Sequence, residues 1–306
     1  MHRTAKGWWL VFMGILLVVS MPVAARGTPP LTVVCSFSIL ADLVRQVGGE
    51  AVTVKSLVGA DGDAHVYEPT PADAIGLRDA DLFVINGLGF EGWIERLVKA
   101  SYFKGSVVTA SDGIQALALL GQAEPGASGQ EADPHAWHDL RNVLVYVTNI
   151  ADGLARAAPD QAALFQRNAD HYRQQLLDLD RWVRASLDTI PAERRTVVSS
   201  HGAFGYFSRA YGVTFLAPVG VSTEAEPSAG QVAELIRQIR REKIRAIFLE
   251  NKSNPRLVQQ LAKESGAVLG GTLYTDALSA ADGPAATFLE LFRHNVTVLK
   301  QAMSGL

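Results

Sequence analysis

From residue 31 onward, short apolar runs alternate with stretches where apolar side chains recur every three or four positions. The runs at 31–36, 52–58, 81–86 and 106–109 are strand-like, and the windows 39–47, 71–78 and 90–99 are helix-like. This alternation predicts βαβ units, and so a parallel sheet with helices on both faces. A helix is expected at 140–153. After residue 190 the alternation resumes, with strands at 196–200, 213–217, 244–249 and 268–273 and helices at 204–211, 228–241, 256–265 and 287–303. Within 228–241, Val232, Leu235, Ile236 and Ile239 fall on one face. The stretch 121–131 is rich in Gly, Ala, Ser and Glu and reads as a flexible loop.

One segment breaks the rhythm. Phe165, Ala169, Tyr172, Leu176, Leu179, Val183 and Leu187 step by three or four through 159–190, a single helical stripe. A helix of about 30 residues runs roughly 45 Å at 1.5 Å per residue, long for one lobe. It reads as a strut, and His171 on it as a solvated or capping residue. The fold class expected is α/β: two Rossmann-like lobes with mostly parallel sheets, joined by one long backbone helix. The division expected is a signal at 1–25, an N-terminal lobe at 26–157, the linking helix at 158–190 and a C-terminal lobe at 191–306.

The first 25 residues change the picture of location. Arg3 and Lys6 precede an apolar run at 8–21, Pro22 ends it, and Val23-Ala24-Ala25 offers small residues for cleavage. A run this short is marginal for a bilayer, so cleavage is favoured over a retained anchor. Cleavage removes two basic residues and no acidic one, taking the net charge from −3 to −5. That balance argues against nucleic acid or anionic lipid as partner. The single cysteine, Cys35, excludes an internal disulfide. It falls within a strand-like run, and Val34 before it is larger than a lipid-attachment signal prefers.

Four separated stretches each offer one metal-binding side chain: His65, His135, His201 and Asp276. Three imidazoles and one carboxylate suffice for a tetrahedral Zn²⁺ site. Each falls just past an expected strand or in a loop between elements, where ligands bind in open α/β sheets. Taken singly, each has a plain alternative, as a surface histidine or, for Asp276, a helix N-cap.

The stretches His65-Val66-Tyr67-Glu68-Pro69-Thr70-Pro71, Asp133-Pro134-His135-Ala136-Trp137, Ser200-His201-Gly202-Ala203-Phe204-Gly205-Tyr206 and Tyr274-Thr275-Asp276 resemble signatures of the zinc/manganese substrate-binding proteins of bacterial ABC importers (cluster A-I). Glu226-Pro227-Ser228 and the stretch 250–255 are similar too. The resemblance runs collinearly from about residue 31 to the C-terminus. It implies His65 and His135 as ligands from the N-terminal lobe and His201 and Asp276 from the C-terminal lobe, around one ion in the cleft. This chain departs from the family pattern twice. The loop 121–131 has no histidine, where zinc-favouring relatives often carry many. His138 stands where an apolar residue is more usual; three residues after His135, it is a candidate alternate ligand or supporting group. Glu68 is a further candidate supporting group.

The donor set suits Zn²⁺ ahead of Mn²⁺; manganese-selective relatives tend to present a carboxylate at the position of His201. The function expected is a periplasmic, monomeric, non-enzymatic zinc receptor delivering Zn²⁺ to an inner-membrane ABC permease. A metallochaperone is a candidate loader; nucleic acid and organic substrates are not expected. The alternatives are a manganese receptor of the same type and, from a different class, a secreted zinc hydrolase with Glu68, Glu224, Glu226 or Glu250 as base. No His-Glu-x-x-His or Gly-x-Ser-x-Gly element accompanies the last.

Overall fold

The computed structural model describes residues 29–118, 132–224, 226–251 and 255–305. The expected signal at 1–25 and the loop at 121–131 lie outside the described residues. The first half runs β1 (Leu31–Phe37), α1 (Ser38–Gly48), β2 (Val52–Val58), α2 (Pro71–Arg78), β3 (Leu82–Ile85), α3 (Ile94–Ser101), β4 (Ser106–Thr109) and α4 (Leu140–Ala157). A 27-residue helix, α5 (Ala162–Asp188), follows. The second half runs β5 (Thr196–Val198), α6 (Gly205–Tyr211), β6 (Thr214–Leu216), α7 (Ala229–Glu242), β7 (Ala246–Glu250), α8 (Pro255–Ser265), β8 (Val268–Leu273) and α9 (Phe288–Ser304).

Both sheets are parallel and share one plan. Their strand orders are β2-β1-β3-β4 and β6-β5-β7-β8, so the second strand of each half lies outside the first. The chain therefore reverses direction across the sheet between β1 and β3, and again between β5 and β7. Crevices at such points, outside the carboxyl ends of the strands, are where open α/β sheets bind ligands.

All seven stripe residues of α5 are buried. The helix spans about 40 Å at 1.5 Å per residue and packs on α1, α4, α6 and α9. A 3-10 turn at Pro159–Gln161 replaces the expected first helical turn. His171 is exposed, as its place off the stripe requires. One apolar cluster runs from Val33 to Met303 through both halves. A smaller one, with Val198, Ile236, Ile247 and Leu261, lies beneath α7 and α8. Cys35 is wholly buried in β1, between partners Ser56 and Val84. Among the described residues no helix is long and apolar enough to cross a membrane.

Candidate metal centre

His65 lies in the loop that leaves β2. That loop is fixed by ordinary local chemistry. Thr70 caps α2 in a reciprocal box with Asp73, and Pro71 opens the helix. The Asp73 carboxylate also accepts the Tyr67 hydroxyl at 2.7 Å. The Trp93 indole donates to the Ala64 carbonyl at 2.9 Å. The backbone N–H of His65 donates to Asp63 Oδ1 at 3.0 Å.

The same device recurs at His135, whose backbone N–H donates to Asp133 Oδ1 at 2.9 Å. That oxygen also meets His135 Nδ1 at 2.8 Å, which turns Nε2 toward the cleft. The Pro134 carbonyl is held by the Asn86 amide at 2.9 Å. His201 follows β5. Glu250, at the end of the neighbouring β7, takes the backbone N–H groups of Ser200 and His201 on Oε1, at 2.8 and 3.0 Å. Its Oε2 lies 2.5 Å from His201 Nδ1. Asp276 follows β8, and the preceding Thr275 carbonyl is clamped by the Trp137 indole at 3.0 Å.

These four residues, the donors expected from sequence, come together. One donor atom from each of His65, His135, His201 and Asp276 lies within 4.8 Å of every other. His65 Nε2 and His135 Nε2 are 3.3 Å apart. Asp276 Oδ2 is 3.4 Å from His65 Nε2 and 3.3 Å from His201 Nε2, and Oδ1 is 3.5 Å from His135 Nε2. Exposure is 8% for His65, 2% for His201 and nil for the other two. An ion there would exchange water for protein donors.

The charges explain the supporting carboxylates. Burial is the strongest influence on His201 and opposes its charged form. The carboxylates of Glu250 and Asp276 together outweigh it and hold its pKa up at about 10. His138 is not part of the converging group. It is buried, with its ring 4.7 Å from Phe204 and 5.6 Å from Trp137. Burial, reinforced by the neighbouring His135, pushes its pKa down to about 3, so it is neutral. It fills the wall behind the donors, where an apolar side chain would also fit. Glu68 is exposed and also stands apart from the group. Glu224 and Glu226 are exposed as well, and Glu250 is committed to His201.

Asp63 and Asp133 are supports beyond the residues expected from sequence. Their signal was present, because Asp63-Ala64-His65 and Asp133-Pro134-His135 repeat one Asp-x-His spacing. Glu250, a candidate base by sequence and part of the similar stretch 250–255, is a partner of His201 in the structure. Replacing Glu250 by Gln puts an amide N–H against His201 Nδ1. In the neutral ring the proton then sits on Nε2, on the lone pair that faces the cleft. Zn²⁺ affinity of Glu250→Gln is expected to fall about 10–100-fold, measured by chelator competition.

A family model described as the periplasmic component A of a zinc-uptake complex matches residues 33–302. The chain is 35% identical to the manganese-binding lipoprotein MntA of Halalkalibacterium halodurans, covering 90% of this chain and 89% of that one. It is 35% identical to the iron-binding protein YfeA of Yersinia pestis, covering 87% and 83%. Among solved structures, the periplasmic zinc-binding protein TroA of Treponema pallidum superposes with a TM-score of 0.82 at 32% identity, covering 90% and 99%.

Proposed function

The chain belongs to the family of periplasmic zinc-uptake components, and from that premise we propose that it captures one divalent metal ion and hands it to an inner-membrane ABC permease. The observation that carries this reading is the convergence of His65, His135, His201 and Asp276 in a buried cleft. Zinc is the proposed cargo. A tetrahedral ion with bonds of about 2.0–2.1 Å has donor–donor edges of about 3.3 Å. With Asp276 Oδ2 as the fourth donor, three of the six edges, 3.3 to 3.4 Å, match such a polyhedron, and one donor atom from each residue lies within 4.8 Å of the others.

A manganese cargo is the second reading, and one observation favours it. Both Asp276 oxygens face imidazoles, Oδ1 toward His135 and Oδ2 toward His65 and His201. A bidentate carboxylate makes the set three nitrogens and two oxygens, which suits a harder ion. In direct competition the affinity order still places Zn²⁺ above Mn²⁺. Elemental analysis and native mass spectrometry of the purified chain test this, followed by competition between the two ions. One zinc per chain, resistant to excess Mn²⁺, is expected. Stoichiometric manganese or iron would change the cargo, and no bound metal would remove the site.

The remaining parts of the reading follow. His65, His135, His201 and Asp276 serve as ligands, with no catalytic role. The lobes at 26–157 and 191–306 tilt about the helix at 158–190 to release the ion. The protein works as a monomer in the periplasm, with a metallochaperone as candidate loader. Relatives are named lipoproteins. Here the burial of Cys35 in β1 supports a chain freed by cleavage rather than lipid-anchored at that residue. A hydrolase reading lacks a base, since Glu68, Glu224 and Glu226 are exposed and Glu250 holds His201.

Metal must displace the proton that His201 holds below a pKa of about 10. The sign follows: a proton competitor fades as pH rises. Affinity is therefore expected to climb up to tenfold per pH unit from this residue alone between pH 7 and 9. Competition titrations across pH 6–9 check the slope. Calorimetry in buffers of different ionisation enthalpy should count at least one proton released per ion at pH 7.5.

A further inference from the structure

The donors are nearly sealed, so an ion needs a path to them. On the N-terminal side aromatic rings close the way. Phe90 lies 4.6 Å from the His65 ring and 4.9 Å from Trp137, and Trp137 lies 5.2 Å from His135. Below, the Trp137 indole is bonded to the Thr275 carbonyl. The C-terminal half differs. A cavity of about 630 Å³ opens between α7 and α8 and ends against Ser200, His201 and Asp63. Of the four donors, His201 alone lines it.

We propose that this cavity is a vestibule through which a hydrated divalent cation reaches the centre, and that the hydrogen bond between Thr223 and Asp63 is the clasp at its inner end. The proposal rests on the metal-receptor reading above. Size allows it, since roughly six waters at about 30 Å³ each occupy about 180 Å³. Charge favours it, because among the described residues the lining carries Asp63, Glu226 and Glu264 against Arg256. Shedding of water would take place against Asp63, next to His201.

The clasp joins the two halves. The Thr223 hydroxyl donates to Asp63 Oδ2 at 2.9 Å, while Asp63 Oδ1 takes the backbone N–H of His65 at 3.0 Å. One carboxylate thus ties the loop that carries His65 to the 218–224 loop of the other half. An ion entering from the vestibule passes this pair first. Thr223 contributes no donor to the centre, so it belongs to the path and not to the end state.

That distinction can be measured, because a change in a path alters both rates equally and leaves the equilibrium alone. Stopped-flow tryptophan fluorescence reads Zn²⁺ association, and its release into excess chelator, for the wild type and two variants. Ala233→Phe places a ring in the vestibule; it is expected to slow association and dissociation by the same factor, about tenfold, with unchanged Kd. Thr223→Val removes the clasp at nearly constant volume and is expected to raise both rates together, about three- to tenfold.

Unchanged rates in both variants would overturn the proposal. So would a weaker Kd in Thr223→Val with unaltered association, which would make Thr223 a positioning residue for His65. If Ala233→Phe does not fold, Thr223→Val decides alone. A wild type that binds no Zn²⁺ would sink the receptor reading and the path together. Normal wild-type binding with insensitive rates would sink the path only.

Discussion

His201→Ala is expected to weaken Zn²⁺ binding by about two to three orders of magnitude. Structural zinc sites reach apparent binding free energies of about 10–16 kcal/mol over four ligands, so each ligand accounts for about 2.5–4 kcal/mol. Folding stability of the metal-free chain is expected to fall as well, because of what remains. Glu250 keeps its hydrogen bond to the Ser200 backbone but loses the imidazole that faced its Oε2 at 2.5 Å. Asp276 loses its 3.3 Å neighbour. Two buried carboxylates are then left to share the remaining partners, and each is costly to keep ionised in such surroundings. Competition against chelators of graded affinity, with folding checked by circular dichroism, measures the effect. An affinity within threefold of the wild type would exclude His201 from the ligand set.

Metal is expected to raise the melting temperature by about 8–16 °C. Free ligand at a thousand times Kd stabilises the folded state by about 4 kcal/mol. A chain of this size gains about 2–4 °C per kcal/mol. The centre gathers the loops after β2, β5 and β8 and the approach to α4, so an ion crosslinks segments that lie up to about two hundred residues apart along the chain. The unfolded chain cannot present the four donors together, so nearly all the binding energy acts on the folded state. Differential scanning calorimetry with Zn²⁺ and then with excess chelator tests this. Asp276→Ala serves as the control, and its melting temperature should respond weakly to zinc. A wild-type shift under about 2 °C at saturating metal would contradict an ion held between the halves.

The fold was largely legible where hydrophobic periodicity decides structure. The elements expected at 52–58, 71–78, 106–109 and 268–273 have the observed ends, and the α5 stripe is buried at all seven positions. Tertiary contacts account for the misreadings. A helix was expected from residue 90, but α3 starts at Ile94. Gly87, Leu88 and Gly89 have positive φ. The Glu91 carboxylate is drawn to the Ser36 hydroxyl and the Asn86 backbone, and the Trp93 indole is bonded to Ala64. No local pattern encodes such partners. The repeated strand order was invisible because the two halves do not repeat in sequence.

The candidate centre shows the same division. His65, His135, His201 and Asp276 could be chosen because donor side chains at strand ends are a local feature, strengthened by a family resemblance. Their supports depend on pairing at a distance. Glu250 meets the His201 backbone across 49 residues, through the neighbouring strands β5 and β7. His138 adjoins the donors without joining them. Its spacing from His135 suits a shared helical face, yet its ring lies against Phe204, where burial keeps it neutral.

The sealed position of Cys35 has a practical corollary. Burial pushes its thiol far above the usual range, so the nucleophilic thiolate is suppressed and electrophiles find no handle on the native chain. Mercury, cuprous ions and disulfide reagents likewise meet no open sulfur. A cysteine introduced on the rim of either half would then be the sole reactive one. Pairs of such residues could carry fluorophores or spin labels that follow opening in real time, with no native thiol to remove first.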